Sequence, residues 1–162
     1  MSFGQRFTIT PLQMITAISA IANDGTLVKP KIVKSMTNTD TGEVTNFDTT
    51  KIRQVLSTQT ANQVKSMMKS VVTDGTGKNA QVQGYSIGGK SGTSEPVVGD
   101  TNSGYTTSFA AISPIENTQV AILVTLYDPQ GRSHQGGQTA APVVSKILSE
   151  VLPQMGIEPD QK

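Results

Sequence analysis

The chain has 162 residues and a mass of 17.1 kDa, the size of one ordinary domain. Thirteen basic and twelve acidic residues give a net charge of +1, which creates no field that would gather nucleic acid. The lack of cysteine excludes a disulfide framework and a thiolate metal site. The single histidine, His134, excludes a multi-histidine metal cage and, among turn residues, reads as a surface imidazole. We therefore expect neither a metal nor another cofactor.

The first quarter of the chain predicts a helix followed by a hairpin. Thr10 and Gln13 form a capping box, and the apolar positions that follow predict a helix over residues 11–22. Strand-like patterns at 31–33 and 43–45 are separated by a polar, glycine-containing turn. No apolar run approaches the roughly 18 residues of a membrane-spanning helix, so we expect a soluble chain.

A second helix is predicted over residues 60–72, with Thr60 and Gln63 as its capping box. Its apolar residues recur at helical spacing and form one stripe. Ser66 and Lys69 on this helix match the S-x-x-K arrangement, in which a lysine can deprotonate a nucleophilic serine. Because both flank the apolar stripe, the simpler interpretation is the solvated edge of a core helix.

The second half of the chain predicts a layered α/β structure, an antiparallel sheet flanked by helices. Three strands are expected near residues 85–94, 108–113 and 120–127, and a helix is expected from Pro142 until Pro153 ends it. Residues 155–162 read as a frayed tail or the start of a linker.

Gly84 to Ser91 matches the phosphate-loop pattern G-x-x-x-x-G-K-[ST] letter for letter. The apolar segment that ends at Asp128 resembles the strand that would hold Mg²⁺ beside such a loop. A phosphate loop must open a helix, and Gly92 and Pro96 disfavour a helix after Ser91. A nucleotide binder is therefore a weak alternative.

The same residues also read as an edge strand beside a cleft. Ser91 and Thr93 would share one face of this strand, and Lys90 would lie on the other. Two hydroxyl groups on one face suit a carboxylate, and the glycines that flank Lys90 allow close approach of a ligand. The residue pattern alone favours this interpretation no more than an edge strand without a ligand.

Gly89-Lys90-Ser91-Gly92-Thr93 resembles the K-[ST]-G-T motif of penicillin-binding proteins and serine β-lactamases. Further segments are similar in order and spacing to class B penicillin-binding transpeptidases: Phe3-Gly4-Gln5, Thr10 to Met14, Ala22 to Gly25, Gly75 to Gly77, Gly136-Gly137 and Ala140 to Pro142. This resemblance implies a partial penicillin-recognising fold, with residues 1–162 as the C-terminal portion of a transpeptidase domain.

The resemblance also implies a function. In that family a serine attacks a peptidoglycan stem peptide at its D-Ala–D-Ala bond, and β-lactams acylate the same serine. By position, Lys90 would supply positive charge, and the hydroxyl groups of Ser91 and Thr93 would hold the substrate carboxylate. The backbone N–H of Thr93, which follows Gly92, would donate to the oxyanion.

The chain departs from the family in two places. The family's catalytic S-x-x-K precedes the region that resembles Phe3 to Met14, so Ser66 and Lys69 cannot inherit its role. The second family motif, S-x-N, is absent. We therefore expect no catalytic residue in this chain, which would be inactive alone, because an active site without its nucleophile retains only binding and oxyanion contacts.

The expected partners are peptidoglycan stem peptides and β-lactams, not nucleic acid. An apolar face left uncovered by the missing nucleophile helix predicts self-association. The resemblance implies a parent protein that is extracytoplasmic and membrane-anchored. A non-catalytic cell-wall or β-lactam binding module is the other alternative.

Overall fold

The computed structural model describes residues 8–96, 99, 104–131 and 133–161. Phe3-Gly4-Gln5, which contributed to the resemblance, lies outside the described residues. The longer helices are α1 (Pro11–Ala22), α2 (Thr58–Thr73) and α4 (Ala141–Gln154), and a short helix α3 (Gly136–Thr139) precedes α4. The strands are β1 (Thr26–Val28), β2 (Ser35–Thr37), β3 (Val44–Asn46), β4 (Lys51–Gln54), β5 (Gly88–Ser94), β6 (Thr106–Ser113) and β7 (Val120–Tyr127).

The centre of the fold is a three-stranded antiparallel sheet in the order β5-β6-β7. All three strands were predicted from their sequence patterns. The first of them begins at Gly88 and not at Tyr85, because residues 82–85 form a tight turn in which Tyr85 N donates to Val82 O at 3.2 Å. Strand β5 lies at one edge of the sheet, as expected, and β7 lies at the other.

Helices cover both faces of this sheet. On one face, Phe109 packs with Val144 and Leu148 of α4, and all three side chains are fully buried. On the other face, Ile112 packs with Met68 of α2 and with partly buried residues of α1. Apolar side chains of helix and sheet thus form two cores, which stabilise the molecule by burial of hydrophobic surface. The predicted α/β class with an antiparallel sheet is confirmed.

The two N-terminal helices differ in how well their starts were predicted. Thr10 and Gln13 form the expected capping box on α1. The Thr60 cap on α2 is wrong, because Ser57 is the N-cap and its Oγ accepts from the Thr60 N–H at 3.0 Å. Both hydroxyl residues satisfy the cap pattern, and Ser57 has the extended backbone that an N-cap requires.

The predicted hairpin exists, with shifted strands. Its first strand is Ser35–Thr37 and not residues 31–33, where the Ile32 side chain is fully exposed. The second strand is Val44–Asn46, one residue later than expected. Strands β1 and β4, which pair with each other, were not predicted. Strand β1 is half-buried along its three residues and the four residues of β4 are exposed, so neither sequence shows the apolar alternation that identifies longer strands.

The C-terminal part contains one confirmed helix and one correction. Pro142 lies in the first turn of α4 as predicted, and Pro153 lies in its last turn, one residue before the helix ends. The expectation of a frayed tail is wrong for residues 156–161, because Asp160 N and Gln161 N both donate to Gly84 O. Within the described ranges, no helix combines the length and apolarity needed to cross a membrane.

Candidate functional site

The outer half of β5 places two hydroxyl groups on one face of the sheet edge. Ser91 Oγ lies 3.2 Å from Thr76 Oγ1 in the turn after α2. Thr93 Oγ1 accepts from the backbone N–H of Gly136 at 3.1 Å. Because that bond uses only acceptor capacity, the Thr93 hydroxyl can still donate its proton to a ligand.

Ser91 and Thr93 open onto a cleft of about 980 Å³. Four further segments line it: Gly75 to Asn79 after α2, Glu95, Tyr105, and residues 133–138 around α3. The lining is largely polar, with hydroxyl, amide and charged side chains. A cleft of this size and composition fits a polar peptide better than an apolar ligand.

The floor of the cleft depends on close contact between α3 and the sheet. A Cβ atom on Gly136 would collide with the carbonyl oxygens of Ser108 and Gly92. The neighbouring Gly137 carbonyl accepts from Asn79 Nδ2 at 2.8 Å. Only glycine at position 136 lets the helix approach β5 closely enough for its N–H to reach Thr93.

Two lysines among the described residues bring positive charge near the site, from different sides of β5. Lys90 is exposed, and its Nζ donates to the carbonyl oxygen of Ser91 at 2.8 Å. Lys78 lines the cleft that Ser91 and Thr93 share, as does Glu95. The strand alternation expected from the sequence therefore separates Lys90 from the two hydroxyl groups. Lys78 is a site residue that the sequence patterns did not reveal.

His134 is not a free surface imidazole, contrary to expectation. Its ring is half-buried and stacks on Tyr105, with ring centroids 4.2 Å apart and planes inclined by 8°. Its Nδ1 atom is buried and finds no hydrogen-bond partner within the described ranges. Both rings line the cleft. The turn residues around His134 predicted a surface position. The sequence did not reveal the stack, because Tyr105 lies 29 positions earlier in the chain.

Ser66 and Lys69 lie away from this cleft. They line a separate depression beside Asp24, Lys65 and Glu116. The neighbouring Lys65 is nearly buried and forms an ion pair with Asp24 at 2.9 Å. The S-x-x-K pair is thus on a different surface of the molecule from Ser91 and Thr93.

The phosphate-loop interpretation of residues 84–91 is wrong. Residues 88–94 form a continuous strand that pairs with β6 on both sides of Ser91. A phosphate-binding loop requires a helix that begins at this point, since the helix N-terminus provides the N–H groups for the phosphate. The strand offers no such terminus.

Comparison with known proteins finds one matching family model, the penicillin binding protein transpeptidase domain, over residues 1–149. The chain is 35% identical over 161 residues to stage V sporulation protein D of Bacillus subtilis, covering 98% of this chain and 25% of that protein. It is 36% identical over 162 residues to penicillin-binding protein PbpB of Mycolicibacterium smegmatis, covering 92% of this chain and 25% of that protein. The chain thus spans about a quarter of the length of these relatives.

Solved structures of penicillin-binding proteins are also similar to this chain. The transpeptidase domain of Burkholderia pseudomallei penicillin-binding protein 3 has a TM-score of 0.78 and 34% identity, over 95% of this chain and 45% of that one. Penicillin-binding protein 3 of Mycobacterium tuberculosis in complex with ampicillin has a TM-score of 0.81 and 32% identity, over 95% of this chain and 36% of that one.

Proposed function

The chain belongs to the transpeptidase-domain family of class B penicillin-binding proteins, and from that membership we propose that it supplies the carboxylate-binding wall of a peptidoglycan D,D-transpeptidase. Its ligands would be the D-Ala–D-Ala end of a stem peptide and the β-lactams that resemble it. The mycobacterial relative solved with ampicillin supports the second class of ligand.

One observation supports the proposal most strongly: the hydroxyl groups of Ser91 and Thr93 lie on the same face of an edge strand and open onto one cleft. A terminal carboxylate of the substrate would accept from both hydroxyl groups. Lys78 in the cleft would add long-range attraction for this anion, and Lys90 would contribute from the opposite face of the strand. The backbone N–H of Thr93, on the edge strand β5, would then donate to the oxyanion.

The acyl-accepting serine is proposed to belong to polypeptide other than this chain. Ser66, which has the required S-x-x-K spacing, lines a different depression from Ser91 and Thr93. The chain would therefore bind substrate and β-lactam without forming a covalent bond. The protein of which it is part would perform serine acyl transfer outside the cytoplasm, with a membrane anchor.

We also propose that this chain, by itself, associates with a second copy. Strand β7 ends the three-stranded sheet, and its eight residues include no charged side chain and no proline. An uncharged strand edge of this length is a template for pairing with another strand.

A titration of the chain with a diacyl-lysyl-D-Ala–D-Ala peptide, followed by amide NMR shifts, tests the function. We expect the shifts to cluster at Ser91, Thr93 and Gly136. The same peptide with a C-terminal amide is the matched control, and it should bind at least tenfold more weakly because it lacks the anionic group. Equal binding of both peptides would contradict the proposed carboxylate wall.

A further inference from the structure

The C-terminal tail, residues 156–161, crosses the segment that leads into β5. The backbone N–H groups of Asp160 and Gln161 donate to the carbonyl oxygen of Gly84, at 2.9 Å and 3.0 Å. Gly84 has a left-handed backbone, with φ +83°, and a Cβ there would lie 3.2 Å from Pro159 Cβ. The tail is therefore packed closely on this turn.

The side chain of Asp160, an exposed residue, extends this contact to the buried Ser86. It accepts from both the backbone N–H of Ser86, at 2.6 Å, and the Ser86 hydroxyl. Ser86 is only 2% exposed. Hydrogen bonds from neutral donors to a carboxylate are stronger than those between neutral groups.

Ser86 is also bound to the connection between β6 and β7. Its Oγ accepts from Ile115 N at 2.9 Å, and its carbonyl oxygen accepts from Ser113 Oγ at 3.2 Å. Both polar hydrogens of Ser86 are directed at Asp160, and its two oxygens accept from Ser113 at the end of β6 and from Ile115 in the connection that follows. Loss of the Asp160 carboxylate would leave two buried donors without their acceptor.

Ser86 lies two residues before the start of β5. The strand begins with Gly88 and Gly89, which pair with Ile112 and Ala111 of β6. Both glycines are closely packed, because a Cβ atom on Gly88 would lie 2.5 Å from Ile115 Cδ1. Since such a packed segment has little room to absorb a shift at Ser86, the shift would pass into the hydroxyl-bearing part of the strand.

We propose that Asp160 is a positioning residue for the carboxylate-binding wall, acting through Ser86. The expected effect of Asp160 on the order of β5 rests on the geometry alone. Its expected effect on peptide binding also rests on the proposed function. Asp160 lies beyond residue 149, where the match to the family model ends, whereas Ser86 lies within the match. The tail would thereby adjust the position of the transpeptidase wall.

Amide hydrogen exchange on the chain, compared with Asp160→Ala, tests the clamp. Glu158→Ala is the matched control, because Glu158 is an exposed carboxylate in the same tail. We expect Asp160→Ala to speed exchange of the β5 amides that bond to β6 by about tenfold, and the β6–β7 amides by less than twofold. The control should leave both sets unchanged.

Three results would overturn the proposal. Unchanged β5 exchange in Asp160→Ala would show that the clamp does not hold the strand. An equal rise across the whole sheet would show general destabilisation. Faster exchange confined to the β5 amides, without at least a threefold loss of affinity for the D-Ala–D-Ala peptide, would show that the order of β5 does not affect binding. If the unmodified chain itself fails to bind the peptide, the proposed function fails, and the exchange data still decide whether Asp160 positions β5.

Discussion

The hydroxyl group of Thr93 has both a structural contact and a proposed role in ligand binding. Its Oγ1 accepts from Gly136 N, and the same hydroxyl remains able to donate into the cleft. Thr93→Val keeps the shape and removes the hydroxyl, so a partly buried N–H loses its acceptor. We expect a loss of about 1 to 3 kcal/mol in the free energy of unfolding, measured by urea denaturation.

Thr93→Ser is the control for this change, since it keeps the hydroxyl and removes one methyl group. It should retain most of the stability that valine loses. If the serine variant were as destabilised as the valine variant, the contribution would come from the methyl group and not from the hydrogen bond to Gly136.

The sequence predicted the strand face of each site residue but not the neighbours from other elements. Strand alternation placed Ser91 and Thr93 together and Lys90 apart, because that relation is local. The position of Lys78 in the cleft and the stack of His134 on Tyr105 depend on segments that are distant from each other in the sequence. Residue spacing along the sequence does not predict contacts of this kind.

At the scale of elements, β7 is the strand that we expect to drive self-association. Tyr127 at its end is 69% exposed, so a charge there should interrupt edge pairing without disturbing the core. Sedimentation of the unmodified chain should show a dimer at high concentration, and Tyr127→Lys should weaken dimerisation about tenfold.

Val143→Lys is the control for this prediction, because Val143 is also an exposed apolar residue and belongs to α4, not to β7. It should leave the dimer intact. A purely monomeric unmodified chain, or equal weakening by both variants, would refute pairing through β7.

Long elements were predictable and short ones were not, for a physical reason. Helix α1 and strands β6 and β7 carry long apolar patterns because they face a core on at least one side. Strands β2, β3 and β4 are exposed and β1 has only three half-buried residues, so their sequences carry no periodic signal. The tail was judged from its composition, whereas Asp160 is ordered by contacts with Gly84 and Ser86, more than 70 positions earlier.

At the scale of the whole molecule, the described part of the chain unites a three-stranded sheet, two small two-stranded sheets and two cores. Ser91 and Thr93 open onto a polar cleft, whereas the S-x-x-K pair lines a separate depression. The proposed function therefore separates ligand recognition from acylation. A wall without a nucleophile would retain the binding contacts, and it would lack the covalent step.

Mass spectrometry of the chain with a penicillin, recorded under native and then denaturing conditions, tests this account most directly. We expect a complex of chain and penicillin under native conditions that disappears on denaturation and leaves the mass of the chain unchanged. A covalent increment that maps to Ser66, or the absence of any complex at millimolar penicillin, would contradict it.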